Sequence, residues 1–287
     1  MGTQVSFTSD GVTVAAEYTQ PASAAVKSRG VVLCHGFSGA RYPKLIADLG
    51  ARGYAVLAFD YRGYGRSAGE RGRVVMEEVV ADTIAATNWL LSQPEVDASC
   101  VALVGSSLGG SITIMAAAKD KRVQAVVSAC PLAQGRSVLE MQYDSPDKWQ
   151  AFEHRIEDLE ANGGEFDRFE IVHIPEPLRS HLPSDSPMRF TPATARSFAT
   201  LNVLDDIDRL NAIPLLLIHA KDDQIVSYHE SERLAERASG QADLILTETG
   251  NHFLLGQTPV IAAIGDWLVD HYAPAAVGSA THTTPAG

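Results

Sequence analysis

The chain has 287 residues, of which 45% are hydrophobic, enough to bury a full core in one large domain or two small ones. Its net charge is −12 and the acidic residues are spread along the chain, which argues against nucleic acid or an anionic membrane as a partner. No stretch is apolar enough to span a membrane, and the N-terminus has no signal-peptide pattern, so we expect a soluble cytoplasmic protein. The three cysteines are too few for a disulfide framework, and we expect them to be buried free thiols.

Strand and helix patterns alternate along most of the chain. Residues 5–7 and 12–18 alternate apolar and polar side chains around an Asp-Gly turn, which predicts an antiparallel hairpin at a sheet edge. Continuous apolar runs typical of buried strands follow at residues 31–34, 54–59, 101–104, 123–129, 214–218 and 243–247. Helical patterns lie at residues 42–53, 74–92, 228–238 and 259–272. This alternation predicts an α/β fold with a mostly parallel central sheet and helices on both faces.

One segment interrupts the alternation. Residues 131–211 are richer in charge, proline and aromatic side chains than the sequence on either side. Because the strand pattern stops before this segment and resumes after it, we interpret it as a cap inserted into one core made of residues 1–130 and 212–272. Residues 273–287 are rich in Ala, Thr, Gly and Pro, and we expect them to form a disordered C-terminal tail.

A G-x-S-x-G sequence at residues 105–109 follows the apolar strand 101–104 and precedes an alanine-rich helical stretch. A serine on so tight a strand-to-helix turn has strained backbone geometry, so its close neighbours must lack side chains. The turn exposes the hydroxyl and directs the first N–H groups of the helix toward the same space. This context is typical of a nucleophile elbow, and Ser107 is the predicted nucleophile.

A serine nucleophile needs a base that takes its proton and an acid that orients the base. After an elbow of this type the acid precedes the histidine in the chain. Asp222 and Asp223 both follow the strand 214–218, and at this point either could be the acid. His252 lies in a short loop with Gly250 after the strand 243–247, and we predict that it is the base. The other histidines lie at a strand end, on helices, in the insert or in the tail, and fit this position less well.

The strand 31–34 ends at His35-Gly36, where the second donor to an oxyanion should be found. We predict that the backbone N–H groups of Phe37 and Leu108 form the oxyanion hole. His35 is expected to hydrogen-bond backbone and shape this loop rather than act as a base. No paired-cysteine or H-E-x-x-H pattern indicates a metal, and the dinucleotide-binding glycine pattern is incomplete, so neither a metal nor another cofactor is predicted.

Together these segments resemble the α/β-hydrolase superfamily. Residues 35–37 (HGF) resemble its oxyanion-loop motif, and residues 60–67 (DYRGYGRS) resemble its D-x-R-G-x-G-x-S loop. The elbow at residues 105–109 and the sequence Gly-Asn-His at 250–252 resemble its nucleophile motif and its terminal G-x-H. The resemblance implies the α/β-hydrolase fold, with landmarks over residues 31–270.

The acid motif of this superfamily resembles residues 219–226 (HAKDDQIV), with Ala220 in place of the usual glycine. This alignment implies that Asp223, rather than Asp222, is the acid. The N-terminal hairpin and the single insert are similar to those of serine esterases, monoacylglycerol lipases and dienelactone hydrolases. Ser107 departs from the cysteine nucleophile of dienelactone hydrolases.

The resemblance implies a serine hydrolase that cleaves a carboxylic ester of a small-molecule acyl substrate through a Ser107–His252–Asp223 triad and an acyl-enzyme. Hydrolysis of an amide, a thioester or a carbon–carbon bond by the same triad is an alternative, and a non-catalytic ligand-binding relative is a less favoured one. The sequence does not fix the oligomeric state and allows a homodimer.

Large apolar side chains in the otherwise polar insert could form the roof of a substrate pocket, or could only pack the core of the insert itself. The candidates for the pocket are Tyr143, Trp149, Phe152 and Met188. Both interpretations are open at the level of sequence.

Overall fold

The computed structural model describes residues 2–21 and 27–272, so the tail predicted at 273–287 lies outside the described residues. Within these residues the strands are β1 (Thr3–Ser9), β2 (Val12–Thr19), β3 (Ser28–Cys34), β4 (Ala55–Phe59), β5 (Val96–Ser106), β6 (Val123–Ala129), β7 (Phe166–Asp167), β8 (Arg189–Phe190), β9 (Leu215–Ala220) and β10 (Ala242–Thr247). The α-helices are α1 (Pro43–Ala51), α2 (Met76–Leu91), α3 (Leu108–Ala117), α4 (Gly135–Glu140), α5 (Pro146–Asn162), α6 (Arg168–Ile171), α7 (Pro192–Thr200), α8 (Leu204–Ile207), α9 (His229–Arg237) and α10 (Thr258–His271). Short 3₁₀ helices lie at Glu176–His181 and Leu254–Gly256.

The main sheet has eight strands in the order β1-β2-β4-β3-β5-β6-β9-β10. The β1–β2 and β2–β4 pairs are antiparallel, and the remaining neighbours are parallel. The predicted α/β fold and the antiparallel hairpin at a sheet edge are confirmed. Because the parallel strands run in one direction, their carboxyl ends meet at one edge of the sheet, where the sites of such folds form. Over the described ranges, no helix combines the length and apolar character needed to cross a membrane.

Apolar side chains on the central strands alternate between two buried clusters. Val32 belongs to one cluster, with α2 and α3, whereas Val31 and Leu33 belong to the other, with α1 and α10. Helices therefore cover both faces of the sheet, which explains why these strands are apolar without interruption. The cysteines predicted to be buried free thiols are buried and unpaired: Cys34, Cys100 and Cys130.

The strand that leads to the elbow is longer than its apolar run at 101–104. β5 begins at Val96, which pairs with Ser28, and the register shifts between Ser28 and Gly30. Pairing with β3 thus extends the strand over polar residues that the hydrophobic pattern alone marks as a loop. β5 ends at Ser106 and delivers the next residue directly to the carboxyl edge of the sheet.

The segment 131–211 lies between β6 and β9, which are parallel neighbours in the sheet. It contains α4 to α8 and a two-stranded antiparallel ribbon of β7 and β8. Its buried Phe190 stacks on Phe37 of the core with ring centroids 4.4 Å apart. The apolar cluster of the insert is therefore continuous with the core, and its interpretation as a cap over the site stays a prediction.

Candidate active site

Ser107 joins β5 to α3 with φ 57° and ψ −127°, a backbone conformation that residues other than glycine rarely adopt. Backbone contacts close the turn on both sides. A Cβ atom on Gly105 would lie 2.2 Å from the carbonyl oxygen of Gly109, and one on Gly109 would lie 2.2 Å from that of Cys34. Neither glycine can carry a side chain unless the backbone moves, which is the physical reason for the G-x-S-x-G spacing.

The loop after β3 packs directly on this serine. A Cβ atom on Gly36 would lie 3.0 Å from Cβ of Ser107 and 3.5 Å from its Oγ. The next residue, Phe37, and the first residue of α3, Leu108, have the N–H groups predicted to form the oxyanion hole. Among the described residues neither N–H group has a hydrogen-bond acceptor, and the N–H of Leu108 is at the open N-terminus of a helix. Both remain available to a developing negative charge beside Ser107.

His35 fixes the peptide that contains the Phe37 N–H group. Its Nε2 accepts a hydrogen bond of 3.1 Å from the N–H of Tyr61, so its Nδ1 carries the proton and donates to the carbonyl of Gly36 at 2.7 Å. The N–H of Gly39 donates to the same carbonyl at 2.9 Å. Since the C=O and N–H of one peptide point in opposite directions, anchoring the Gly36 carbonyl sets the direction of the Phe37 N–H. Burial lowers the pKa of His35 to about 4, which keeps the ring neutral. The predicted backbone role of His35 is confirmed.

His252 and Asp223 meet at the carboxyl edge of the sheet. The Nδ1 atom of His252 is 2.7 Å from Oδ2 of Asp223, and the histidine ring is buried. Asp223 follows β9, and His252 lies in the loop after β10, so two neighbouring parallel strands bring the pair together. This hydrogen bond leaves Nε2 as the nitrogen with which His252 can exchange a proton.

The Asp223 carboxylate, whose side chain is fully buried, accepts hydrogen bonds from His252 and from two backbone N–H groups. Oδ1 accepts from the N–H groups of Ile225 (2.8 Å) and Val226 (3.0 Å). Nε2 of His219 lies 3.2 Å from Oδ2, and the thiol of Cys130 is also close. Burial would raise the pKa of Asp223, but the charge of His252 and the hydrogen bonds from both histidines outweigh it and hold that pKa well below its usual range. The carboxylate is thereby kept ionised opposite His252.

Cys130, His219 and Asp223 offer ligand atoms within 4.8 Å of one another, so the fit of a metal ion has to be considered. The ring atoms of His219 are already engaged, Nδ1 with the Ser231 hydroxyl at 2.7 Å and Nε2 with the carbonyl of Val226 at 3.0 Å. The Asp223 oxygens accept the hydrogen bonds described above. This cluster is organised as a hydrogen-bond network around the carboxylate, and the His219 side chain is fully buried.

Asp222, the other candidate acid, faces away from the imidazole. Its side chain is exposed, and Oδ1 accepts a hydrogen bond of 2.8 Å from the N–H of Asn251. Asn251 has φ 50°, so this contact supports a strained turn just before His252. The structure thus brings His252 to Asp223, in the register that the resemblance implies, and gives Asp222 a supporting contact in the loop.

A small cavity of about 30 Å³ connects these groups. Ser107, His252 and Phe37 line it from the core, and the insert contributes the side chains of Arg168, Val172 and Leu182. A space of this size accommodates roughly one water molecule. The catalytic cavity, as we call this space, is therefore nearly filled by its own walls.

A larger cavity of about 440 Å³ lies between β2 and α1, with Arg41 and Asp60 in its wall. Ser107 and His252 are not among the described residues that line it. The carboxylate of Asp60 accepts hydrogen bonds from Nη2 of Arg41 (2.8 and 2.9 Å) and from the N–H of Arg66 (3.1 Å). The D-x-R-G-x-G-x-S loop is thus held by its own aspartate.

The four pocket candidates of the insert lie elsewhere among the described residues. Trp149 and Phe152 are buried, and Tyr143 stacks on Phe152 with centroids 4.4 Å apart. The hydroxyl of Tyr143 donates to the carbonyl of Glu170 at 2.8 Å. Met188 is 43% exposed. None of the four is among the described residues that line the catalytic cavity, although Tyr143 and Trp149 line a separate cavity on the insert, and their role as substrate-pocket residues stays a prediction.

Sequence reasoning did not select Arg168, Val172 and Leu182, which line the catalytic cavity. The only local signal near Arg168 is the capping box in which Asp167 and Glu170 begin α6. That signal marks the start of a helix but says nothing about which side chain turns inward. From sequence alone, an arginine in a charged insert is expected at the surface, and only the tertiary structure shows that Arg168 is buried.

Comparison with known proteins places these features in a family context. A family model described as "Serine aminopeptidase, S33" matches residues 26–259. An uncharacterised 31.7 kDa protein in the traX-finO intergenic region of Escherichia coli is 42% identical over 113 residues, which cover 38% of this chain and 40% of that protein. The thiohydrolase aneE of Aspergillus aculeatus is 36% identical over 108 residues, which cover 36% of this chain and 34% of that protein. The chain thus matches less than half the length of these curated relatives.

The fold is shared with solved structures at lower identity. The crystal structure of hypothetical protein PA2218 from Pseudomonas aeruginosa superposes with a TM-score of 0.80 and 21% sequence identity, over 94% of each chain. A likeness at this identity concerns the fold. The prediction that the chain has the fold of α/β-hydrolases is confirmed.

Proposed function

The chain belongs to the α/β-hydrolase family described as serine aminopeptidase, S33, and we propose that it is a serine hydrolase that cleaves carboxylic esters. The observation that carries this proposal is the hydrogen bond of 2.7 Å between His252 and Asp223, beside a serine held on a strained elbow. A serine hydroxyl, a buried carboxylate and an oriented imidazole, in this order along the chain, are the parts that acyl transfer needs.

In the proposed mechanism, Oγ of Ser107 attacks the ester carbonyl while Nε2 of His252 takes its proton. The Asp223 carboxylate stabilises the resulting imidazolium and keeps the ring in place. The N–H groups of Phe37 and Leu108 donate to the tetrahedral oxyanion. His252 then gives the proton to the leaving alcohol, and water, activated by the same imidazole, hydrolyses the acyl-enzyme.

We also propose that residues 131–211 act as a cap. Arg168, Val172 and Leu182 of this segment line the catalytic cavity, and the hydroxyl of Ser186 donates to the carbonyl of Ser38 at 2.6 Å. These contacts join the insert to the oxyanion loop rather than to the surface of the sheet. A substrate larger than the 30 Å³ cavity must therefore displace part of the insert in order to reach Ser107.

A second candidate activity is thioester hydrolysis, because the relative aneE is named a thiohydrolase. The same triad can perform it, and a thiolate leaves with less need for protonation than an alkoxide. The choice between oxygen and sulfur leaving groups depends on the substrate pocket rather than on the triad.

The test compares p-nitrophenyl esters of increasing acyl length with matched thioesters of the same acids. We expect ester turnover with an initial burst of p-nitrophenol, and its loss in Ser107→Ala but not in the adjacent Ser106→Ala variant. A clear preference for the thioesters would favour the second candidate. Turnover that survives in Ser107→Ala would contradict the proposal.

A further inference from the structure

Arg168 carries a guanidinium group that is completely buried. Its hydrogen-bond acceptors are neutral: Nε donates to the carbonyl of Pro187 at 3.0 Å, Nη1 to the carbonyl of Phe37 at 3.1 Å, and Nη2 to the hydroxyl of Ser186 and the carbonyl of Pro187 at 2.5 Å each. Among the described residues no carboxylate forms an ion pair with it. The carboxylate of the neighbouring Asp167 instead accepts the N–H of Phe169 at 3.0 Å.

A buried charge without a counter-charge is unusual, because desolvation is offset mainly by pairing. Arg62 illustrates the ordinary arrangement in this chain. Its guanidinium lies 2.6 Å from a carboxylate oxygen of the fully buried Asp82. Burial lowers the pKa of Arg168, whereas hydrogen bonds and charge from Asp82 raise that of Arg62 despite its own burial. The positive charge of Arg168 is therefore left for a partner that the chain itself does not supply.

The position of Arg168 indicates where such a partner would bind. The side chain lines the catalytic cavity with Ser107 and His252. A guanidinium has five N–H groups, and the described acceptors occupy four of them. The remaining one is on Nη1, the same nitrogen that contacts the oxyanion loop. The rings of Phe37 and Phe190, each with its centroid 5.1 Å from the guanidinium carbon, hold the group in place.

We propose that Arg168 binds a carboxylate on the acyl part of the substrate, so that the protein prefers esters of short dicarboxylic acids. The inference rests on the proposed serine hydrolase function. The acyl chain must be short, because Arg168 and Ser107 line the same small cavity and few atoms can separate a carboxylate at Arg168 from a carbonyl carbon at Ser107. A planar carboxylate can accept the free N–H of Nη1 and neutralise the charge.

The test compares monoethyl esters of malonate, succinate and glutarate with the corresponding monoamides, in which a neutral amide replaces the carboxylate. We expect the wild-type protein to show a kcat/KM at least about tenfold higher for the carboxylate than for its amide, the effect of a hydrogen bond to a charged group. In Arg168→Gln this ratio should fall toward one, and Arg168→Lys should retain part of it because the charge remains. Equal kcat/KM for acid and amide in the wild type, or an unchanged ratio in Arg168→Gln, would overturn the inference.

Two further measurements keep the result interpretable. Because Arg168→Gln could fail to fold, binding of succinate and of succinamide to the Ser107→Ala protein is measured by calorimetry, and we expect only succinate to bind. Binding of both with equal affinity, or of neither, would contradict the inference. If ester turnover depends on Ser107 but the acid is not preferred, the inference fails alone. If turnover does not depend on Ser107, the proposed function fails, whatever the binding result.

Discussion

The parallel strands and the insert at 131–211 contribute to the candidate active site in different ways. From β3 and β5 come backbone groups, the elbow at Ser107 and the peptide of Phe37, which are fixed by close glycine contacts and by hydrogen bonds to the Gly36 carbonyl from the His35 ring and the Gly39 N–H. The insert contributes side chains, the guanidinium of Arg168 and the aliphatic groups of Val172 and Leu182. We therefore expect the reaction to depend on groups that the parallel strands hold in place, including the Asp223–His252 pair, and substrate preference to depend on side chains of the insert.

The parallel strands and the insert should therefore tolerate amino-acid substitution to different degrees. In the core the active groups are backbone N–H groups, whose positions depend on close contacts between backbone segments. Adding a single methyl group at one of these contacts should therefore already disturb the site. The insert can exchange one side chain for another without moving the elbow. Four substitutions, at Asp223, Gly109, His35 and Tyr143, test this contrast.

Asp223→Asn should lower kcat on the order of 10⁴-fold, because an amide at this position favours the wrong tautomer of His252. The melting temperature should change far less, since Oδ1 can still accept the N–H groups of Ile225 and Val226. The matched control is Asp222→Asn, in which the side-chain oxygen can still accept from Asn251, and we expect kcat within about tenfold of wild type. Steady-state kinetics with p-nitrophenyl butyrate measure both. A reversed pattern would mean that the acid is Asp222.

The elements and residues of the core could be predicted because their signals are local. An apolar run identifies a buried strand, and the glycines around Ser107 mark a turn whose steric demands involve only nearby residues. Chain order and the parallel topology place Asp222 and Asp223 near His252, and the resemblance of residues 219–226 to the superfamily's acid motif selects Asp223. Arg168 could not be predicted, because its burial depends on how Phe37 and Phe190 pack around it. The short helices of the insert, such as α6 with four residues, are too brief to show a helical period.

Gly109→Ala should destabilise the fold by at least about 3 kcal/mol, because the new Cβ would lie 2.2 Å from the carbonyl oxygen of Cys34, a backbone atom that cannot turn aside. Gly256→Ala is the control, since no neighbouring atom of residues 2–21 or 27–272 lies within 4 Å of the added Cβ. Urea unfolding of both variants measures the difference. If Gly109→Ala were as stable as Gly256→Ala, close approach of β3 and α3 would not explain the elbow sequence.

His35 should make part of the stability of the core depend on pH. Its pKa is lowered from 6.5 to about 4 by burial, so between these values the unfolded chain binds a proton that the folded chain does not. Stability therefore falls on acidification, by about 2 kcal/mol for this group between pH 7 and pH 5. His35→Gln should lose less stability over this range, in urea unfolding at the two pH values. His154→Gln, at an exposed position of the insert, should behave as wild type. Identical pH dependence in all three proteins would show that His35 is not protected from protonation.

Tyr143→Phe should have the smallest effect. It removes the hydrogen bond from the tyrosine hydroxyl to the carbonyl of Glu170, at a cost of about 1 kcal/mol, and leaves the stacking on Phe152 in place. Because Tyr143 packs inside the insert, the ranking of kcat/KM across acyl lengths should not change. A changed ranking in a protein of nearly normal stability would instead make Tyr143 a pocket residue, as one of the two sequence interpretations holds.

We propose above that Ser107, held on the elbow beside His252 and Asp223, is the one serine that is activated as a nucleophile. Labelling with a fluorophosphonate, followed by mass spectrometry of the digested protein, tests it most directly, since only a serine whose proton is taken by a base reacts rapidly. The account predicts a single adduct on Ser107, slow labelling in Asp223→Asn, and none in Ser107→Ala. An adduct on Ser106, or labelling that persists in Ser107→Ala, would contradict it.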